Sequence, residues 1–253
     1  MQNHFVLTGK VALITGGSRS LGLEMALAFA AAGADIVVAS RKLDNCEKAA
    51  GRIRAMGRRA LAVAVHAGHW DKLEPLVESA YTAFGRVDIL VNNAGMSPAT
   101  PSHEMSEELF DKVVSLNFKG PFRLAALLAH RMRAAGGGAI INVSSVASLI
   151  PTPHVVPYAG AKAALNAMTV SMAHEYAPTV PCERDSRWPV SHGYFEELER
   201  GATPQRAISP RQVRPPGEDR QHRPLSGEPH IELRDRDVDP VRWRDALIVT
   251  NSR

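Results

Sequence analysis

Two cysteines, Cys46 and Cys182, are all that the 253 residues contain. That is too few for a disulfide framework, and it points to a reducing compartment, so a cytoplasmic location is expected. No apolar run reaches the length of a membrane span, and the residues after Met1 lack a basic stretch leading into an apolar one. Neither a membrane anchor nor a secretory leader is therefore expected. Lysine is missing beyond Lys162, whereas 13 of the 23 arginines and 9 of the 17 prolines fall from Pro181 onward. Apolar periodicity is missing there too: Pro181 to Pro189 and Arg206 to Arg236 show neither a two-residue nor a 3.6-residue repeat. The chain thus divides into residues 1–180 and an atypical Arg/Pro-rich segment, 181–253, expected to be disordered. The net charge of +4 is spread so unevenly that it gives no argument for a nucleic-acid partner.

What is present before Pro181 is an alternation of short β-branched runs with longer alanine- and leucine-rich stretches, over a chain of 45% hydrophobic and 22% charged residues. Strands are expected at 11–14, 35–39, 61–65, 87–91 and 139–143, each nearly all apolar, as for strands covered on both faces. Helices are expected at about 21–32, 43–57, 71–84, 106–134 and 158–177, the last beginning after Pro157 and stopping at Pro178. This is the pattern of an α/β protein, a single Rossmann-type, doubly wound parallel sheet.

The first strand runs into Thr15-Gly16-Gly17-Ser18-Arg19-Ser20-Leu21-Gly22 and then an amphipathic stretch. A tight glycine turn between strand and helix lets backbone N–H groups and the positive end of the helix dipole meet a pyrophosphate. Alone, such a pattern describes many βα turns. The segment resembles the cofactor fingerprint of the short-chain dehydrogenase/reductase family, Thr-Gly, three residues, then Gly-x-Gly. The resemblance implies cofactor contacts at Thr15, Gly16, Ser18, Arg19, Leu21 and Gly22. Ser20 stands where the family has its middle glycine, adding a side chain beside the pyrophosphate or serving as the helix N-cap. At the end of the second strand come Ser40, Arg41 and Lys42, with no carboxylate before Asp44. A carboxylate there would accept the ribose 2′-hydroxyl of NAD(H), whereas Arg41 suits a 2′-phosphate, so NADP(H) is expected over NAD(H).

The fourth strand ends in Asn92-Asn93-Ala94-Gly95, and the family resemblance places Asn92, Ala94 and Gly95 at the cofactor. Asn117, a poor helix former inside a helical stretch, matches the family's asparagine that kinks this helix and holds a water in a proton relay. Ser145 precedes Tyr158 by thirteen residues and Lys162 follows Tyr158 by four, which sets Tyr158 and Lys162 on one helix face. Carbonyl reduction needs a proton at oxygen while hydride reaches carbon, and a tyrosine of pKa about 10 needs a neighbouring ammonium to lower it. The family resemblance covers residues 1 to about 180 and implies an oxidoreductase interconverting alcohol and carbonyl. In it, Tyr158 is general acid/base, Lys162 lowers its pKa and binds ribose, Ser145 holds the substrate oxygen and Asn117 completes the relay. His66, after the third strand, is a cofactor-edge candidate. His66 and His69 have no ligand-spaced cysteine or carboxylate partners, so no metal is expected.

The family's sixth strand, substrate-covering segment and seventh strand are not visible after Thr179. Read from the second base of each codon, Pro181 to Glu196 and the stretch around Arg220 to Ile231 can encode segments resembling those missing parts. Trp188 has one codon and, with the proline codon after it, must give glycine in that frame. A single-base frame disruption near codon 181 is inferred, and resequencing that finds no such base would remove the inference. An uncovered flank on the fifth strand is the expected consequence, together with loss of the family's tetramer. The rival to a working enzyme is therefore a catalytically impaired or non-catalytic dinucleotide-binding protein. The expected partner is a small alcohol or carbonyl substrate, with neither nucleic acid nor membrane.

Overall fold

A computed structural model of the chain describes residues 6–185. Six strands form one sheet: β1 (Val11–Thr15), β2 (Asp35–Ser40), β3 (Ala60–Ala64), β4 (Ile89–Asn92), β5 (Ala139–Val143) and β6 (Cys182–Asp185). Their order is β3-β2-β1-β4-β5-β6, and every pairing is parallel. The helices between them are α1 (Ser20–Ala31), α2 (Leu43–Ala55), α3 (Trp70–Phe84), α4 (Glu107–Val114), α5 (Gly120–Ala134) and α6 (Val156–Tyr176).

The period-two alternation of the strands divides the core between two layers. Ala12, Ile14, Ile36, Val38 and Val91 pack with Ala26 and Ala30 of α1 and Cys46, Ala49 and Ile53 of α2. Val11, Leu13, Val37, Leu90 and Ile140 pack on the other face with α3, α5 and α6, through Leu73, Leu76, Leu124, Leu128 and Leu165. Each such fully buried leucine or isoleucine contributes about 1.5–3 kcal/mol of transfer free energy. After β3 the chain returns to the other side of β1, so the order reverses between β1 and β4. The carboxyl ends of those two strands therefore diverge into the crevice that open α/β sheets use for ligands.

Four expectations change. The fourth strand begins at Ile89, and Asp88 before it accepts from the Val11 N–H at 2.9 Å and pairs with Lys10 and Arg86. β3 lies at the edge, and its residues are only half-buried or exposed, because a strand with one neighbour is covered less well. The helix expected over 106–134 is broken by a π-helical turn, Ser115–Lys119, between α4 and α5. α6 starts at Val156, with Pro157 inside its first turn, where its missing N–H costs nothing.

A sixth strand is also present, contrary to the expectation that none follows Thr179. Ile140 pairs with Cys182 and Val143 with Asp185, and the Ile140 N–H donates to the Pro181 carbonyl at 3.0 Å. Val180 and Cys182 are buried against the same core as α6. Burial pushes the Cys182 thiol up to about 11. The remaining expectations for the Arg/Pro-rich segment and its reading frame lie outside the described residues.

Candidate active site

The glycine turn closes the end of β1 by contacts that only small residues allow. Gly16 adopts φ +66°, a left-handed conformation that glycine enters without penalty. A Cβ at Gly16 would lie 2.8 Å from Asn93 Nδ2, and one at Gly22 would lie 2.4 Å from the Gly16 carbonyl oxygen and 2.5 Å from Asn93 Nδ2. The turn and the first turn of α1 are thus drawn against the β4 end so tightly that no side chain fits between. That leaves Ser18, Arg19 and Ser20 on the open side. Arg19 is the N-cap of α1, extended and without a side-chain capping bond. Ser20 is not the cap: it is the first helical residue and holds φ +46°, a conformation that costs a non-glycine residue about 1–2 kcal/mol.

Asn93, which the sequence reading passed over, holds the turn in place. Its Nδ2 donates to the Thr15 carbonyl at 3.0 Å and the Gly16 carbonyl at 3.4 Å. The Thr15 hydroxyl accepts from the Asn93 and Ala94 N–H groups at 3.0 and 3.1 Å and donates to the Val91 carbonyl at 3.3 Å. Asn92 is turned the other way, into the core. Its Nδ2 donates to Asn142 Oδ1 at 2.9 Å and to the Pro121 carbonyl at 3.3 Å, which uses both protons and ties β4, β5 and α5 together. Asn142 in turn donates to the Thr169 hydroxyl on α6 at 2.9 Å.

Asn117 lies in the π turn and is fully buried. Its Nδ2 donates to the Val113 carbonyl, four residues back, at 2.9 Å and to the Met96 carbonyl at 2.8 Å. The side chain takes the place of a helical N–H at Val113, which is how an inserted side chain opens an i to i−4 ladder into a bulge. Asn117 Oδ1 has no partner among the described residues and faces Gly95, where a Cβ would come within 2.8 Å of it.

Ser145 follows β5 and caps a 3-10 turn, Val146–Ser148, by accepting the Ala147 N–H at 3.2 Å. Tyr158 and Lys162 rise on α6 beside it, both buried, and the Tyr158 ring packs with Val113, Ala147 and Val155. Lys162 Nζ donates to the Val143 carbonyl at 2.6 Å and lies 5.8 Å from the Tyr158 ring centroid. Burial moves the two groups in opposite senses. It holds the Lys162 ammonium down to about 8 and pushes the Tyr158 hydroxyl up, with the neighbouring Ser145 hydroxyl drawing Tyr158 back down. The expected depression of Tyr158 by Lys162 is thus not what the geometry gives: desolvation pushes the Tyr158 hydroxyl up, and the Lys162 ammonium is directed at the Val143 carbonyl.

Arg41 is exposed at the β2 end, and its charge helps hold His66 below the usual histidine range, after burial and His69. His66 stacks on His69 at 4.5 Å, and its Nδ1 accepts the Gly68 N–H at 3.2 Å. Arg41 and His66 therefore flank the same rim of the sheet, beside the glycine turn, while Ser145, Tyr158 and Lys162 gather at the β5 end.

A reversed-order parallel sheet with a glycine turn at its switch point is a dinucleotide-binding type of fold, and a Ser, a Tyr and a Lys gather beside that turn. The sequence profile described as short chain dehydrogenase matches residues 10–182, and the chain belongs to that family. It is 39% identical over 168 residues to an uncharacterized oxidoreductase of Thermotoga maritima, covering 66% of this chain and 66% of that relative. An NAD+-bound xylitol dehydrogenase superposes with a TM-score of 0.71 at 27% identity, over 76% of this chain and 75% of the other. A metagenomic short-chain oxidoreductase in complex with NADP gives 0.65 at 34% identity, over 67% and 77%. The chain thus spans just under two thirds of the length of the Thermotoga relative it matches. Among the described residues no helix is long and apolar enough to cross a membrane.

Proposed function

We propose that this chain is an NADP(H)-dependent oxidoreductase that interconverts an alcohol and a carbonyl, with residues 1–180, extended by β6, as its cofactor and catalytic domain. The observation that carries the reading is the burial of Tyr158 and Lys162 on one face of α6 with Ser145 beside them. Three such polar groups are costly to bury without a task.

The residues present fit a dinucleotide. Gly16 and Gly22 hold the turn against Asn93 with no room for a Cβ, and the open side of the turn presents Ser18, Arg19 and the Leu21 backbone at a helix N-terminus. Ala94 and Gly95 continue the same floor from β4, held in register with the turn by Asn93. Asn92 supports that floor from within the core. Arg41, exposed at the β2 end, would pair with a 2′-phosphate. The solved relatives include one bound to NAD+ and one in complex with NADP, so the preference rests on Arg41 and on the missing carboxylate. The bound nicotinamide supplies or takes the hydride. Tyr158 then gives its proton to the substrate oxygen in reduction and recovers it in oxidation, and Ser145 donates to the same oxygen. Proton transfer is most efficient when the donor pKa lies near the operating pH, and the Ser145 hydroxyl draws the Tyr158 hydroxyl in that direction. Lys162 carries the charge beside Tyr158 and binds the nicotinamide ribose, and the unpartnered Asn117 Oδ1 is the acceptor that anchors a water for proton resupply.

The test is turnover of a panel of small ketones, aldehydes and ketoacyl compounds with NADPH by the full chain, against Tyr158→Phe. Turnover that the phenylalanine variant loses, with its melting temperature kept, supports the reading. A chain that binds NADPH but turns over none of the panel supports the non-catalytic alternative.

A further inference from the structure

Tyr158 and Lys162 are not the only buried polar residues on their face of α6. Asn166 follows Lys162 by one further turn and is likewise buried. Asparagine is a poor helix former, so its place inside a long helix invites a reason. Asn166 Nδ2 donates to the Ser148 hydroxyl at 2.8 Å, and its Oδ1 has no partner among the described residues. The Ser148 hydroxyl has one proton and gives it to the Ser145 carbonyl at 2.6 Å. It must therefore accept from Asn166, which fixes the sense of the amide. The Ser144 hydroxyl lies 3.5 Å from that of Ser148, and the Ser148 N–H donates to the Ser145 carbonyl at 3.0 Å.

The Ser145 carbonyl therefore receives two bonds from Ser148, one from its N–H and one from its hydroxyl, and the hydroxyl is held by the helix that carries Tyr158. A peptide gripped in this way cannot rotate freely, and the direction of the Ser145 side chain is set with it. We infer that Asn166, acting through Ser148, is a positioning pair that fixes the Ser145 hydroxyl against Tyr158, so that both donors meet one substrate oxygen. The inference rests on the roles proposed above for Ser145 and Tyr158. The loop after β5 and the helix α6 are separate elements, joined here by Lys162 to Val143 and by Asn166 to Ser148. The first bond sets the height of the helix over the strand end, and the second sets the loop. An error of an ångström in such a constellation costs about a hundredfold in rate, which is reason enough for a second tie.

The test needs no substrate. The ionisation of Tyr158 is isolated in the full chain by ultraviolet titration of each protein against its Tyr158→Phe counterpart. Because the Ser145 hydroxyl draws the Tyr158 midpoint down, Ser145→Ala should raise it. Ser148→Ala and Asn166→Leu should raise it by a similar amount, on the order of half a pH unit or more. Neither should raise it further when combined with Ser145→Ala, and Ser148→Thr, which keeps the hydroxyl, should leave it in place. Lys162, beside the ring, is common to every variant. If Asn166→Leu fails to give a cooperative melt, the two Ser148 variants decide alone. A midpoint moved by Ser145→Ala but not by Ser148→Ala overturns the inference, as does an additive double variant. A midpoint that Ser145→Ala itself leaves unmoved shows instead that Ser145 and Tyr158 do not share a site, and the positioning role falls with that reading.

Discussion

The Lys162 ammonium on α6 donates to the carbonyl of Val143, the last residue of β5, over 2.6 Å. One bond thus joins the helix that carries Tyr158 to the strand that leads into Ser145, and it buries a positive charge to do so. Desolvation holds the Lys162 pKa down to about 8, against about 10.4 for a free lysine.

That depression makes stability depend on pH in a definable window. Below about 8 the folded chain carries the cost of a buried charge. Between there and the unfolded value the unfolded chain binds more protons, so stability gained from Lys162 rises with pH, by up to about 1.4 kcal/mol per unit. Denaturant unfolding of wild type and Lys162→Met at several pH values should show the difference between them changing in favour of wild type across this window. A difference that stays flat would mean that Lys162 is not desolvated.

The glycine turn gives a sharper steric test. A methyl group at Gly22 would meet the Gly16 carbonyl at 2.4 Å and Asn93 Nδ2 at 2.5 Å. Gly22→Ala should therefore lose about 1–3 kcal/mol of stability, the usual cost of overpacking, and dinucleotide binding with it. Thermal unfolding and a nucleotide titration check both.

Ser20 should behave in the opposite way. It holds φ +46° at the start of α1. Ser20→Gly removes strain of about 1–2 kcal/mol and returns part of that gain as unfolded-state entropy. The expected result is unchanged or slightly higher stability with tighter dinucleotide binding. Clear destabilisation would show that the Ser20 side chain makes a contact that matters.

The proposed preference for NADP(H) is tested at Arg41. Arg41→Ala should weaken NADPH binding by about tenfold or more, the scale of one charge-assisted bond of 1.5–3 kcal/mol, and leave NADH binding within about twofold. Equal losses for both nucleotides would place Arg41 away from the 2′-phosphate.

How far the sequence could be read differs from element to element, for physical reasons. β1, β2 and β5 are largely apolar because both faces are covered, and their limits are visible to within a residue. The break at Asn117 was marked by a residue that helices disfavour, although nothing in the spacing said that it would be a π turn. β6 escaped notice because Cys182, Glu183 and Arg184 carry no apolar alternation, and its pairing to β5 runs through backbone groups that any residue offers. Ser145, Tyr158 and Lys162 were legible from their spacing, which one helix and one strand end turn into proximity. Asn93, Asn142 and Asn166 were not, since each bonds to an element far along the chain and leaves no local pattern. The direction of the Tyr158 shift was misjudged for a related reason: spacing shows that Lys162 is near, but only packing shows how deeply both are buried.

The measurement that bears most directly on the whole reading is a titration of the purified full chain with NADPH and with NADH, following nucleotide fluorescence and melting temperature together. Saturable binding with a higher affinity and a larger stabilisation for NADPH is the result expected from the glycine cradle and Arg41. Binding of neither nucleotide by a cooperatively melting chain would contradict it.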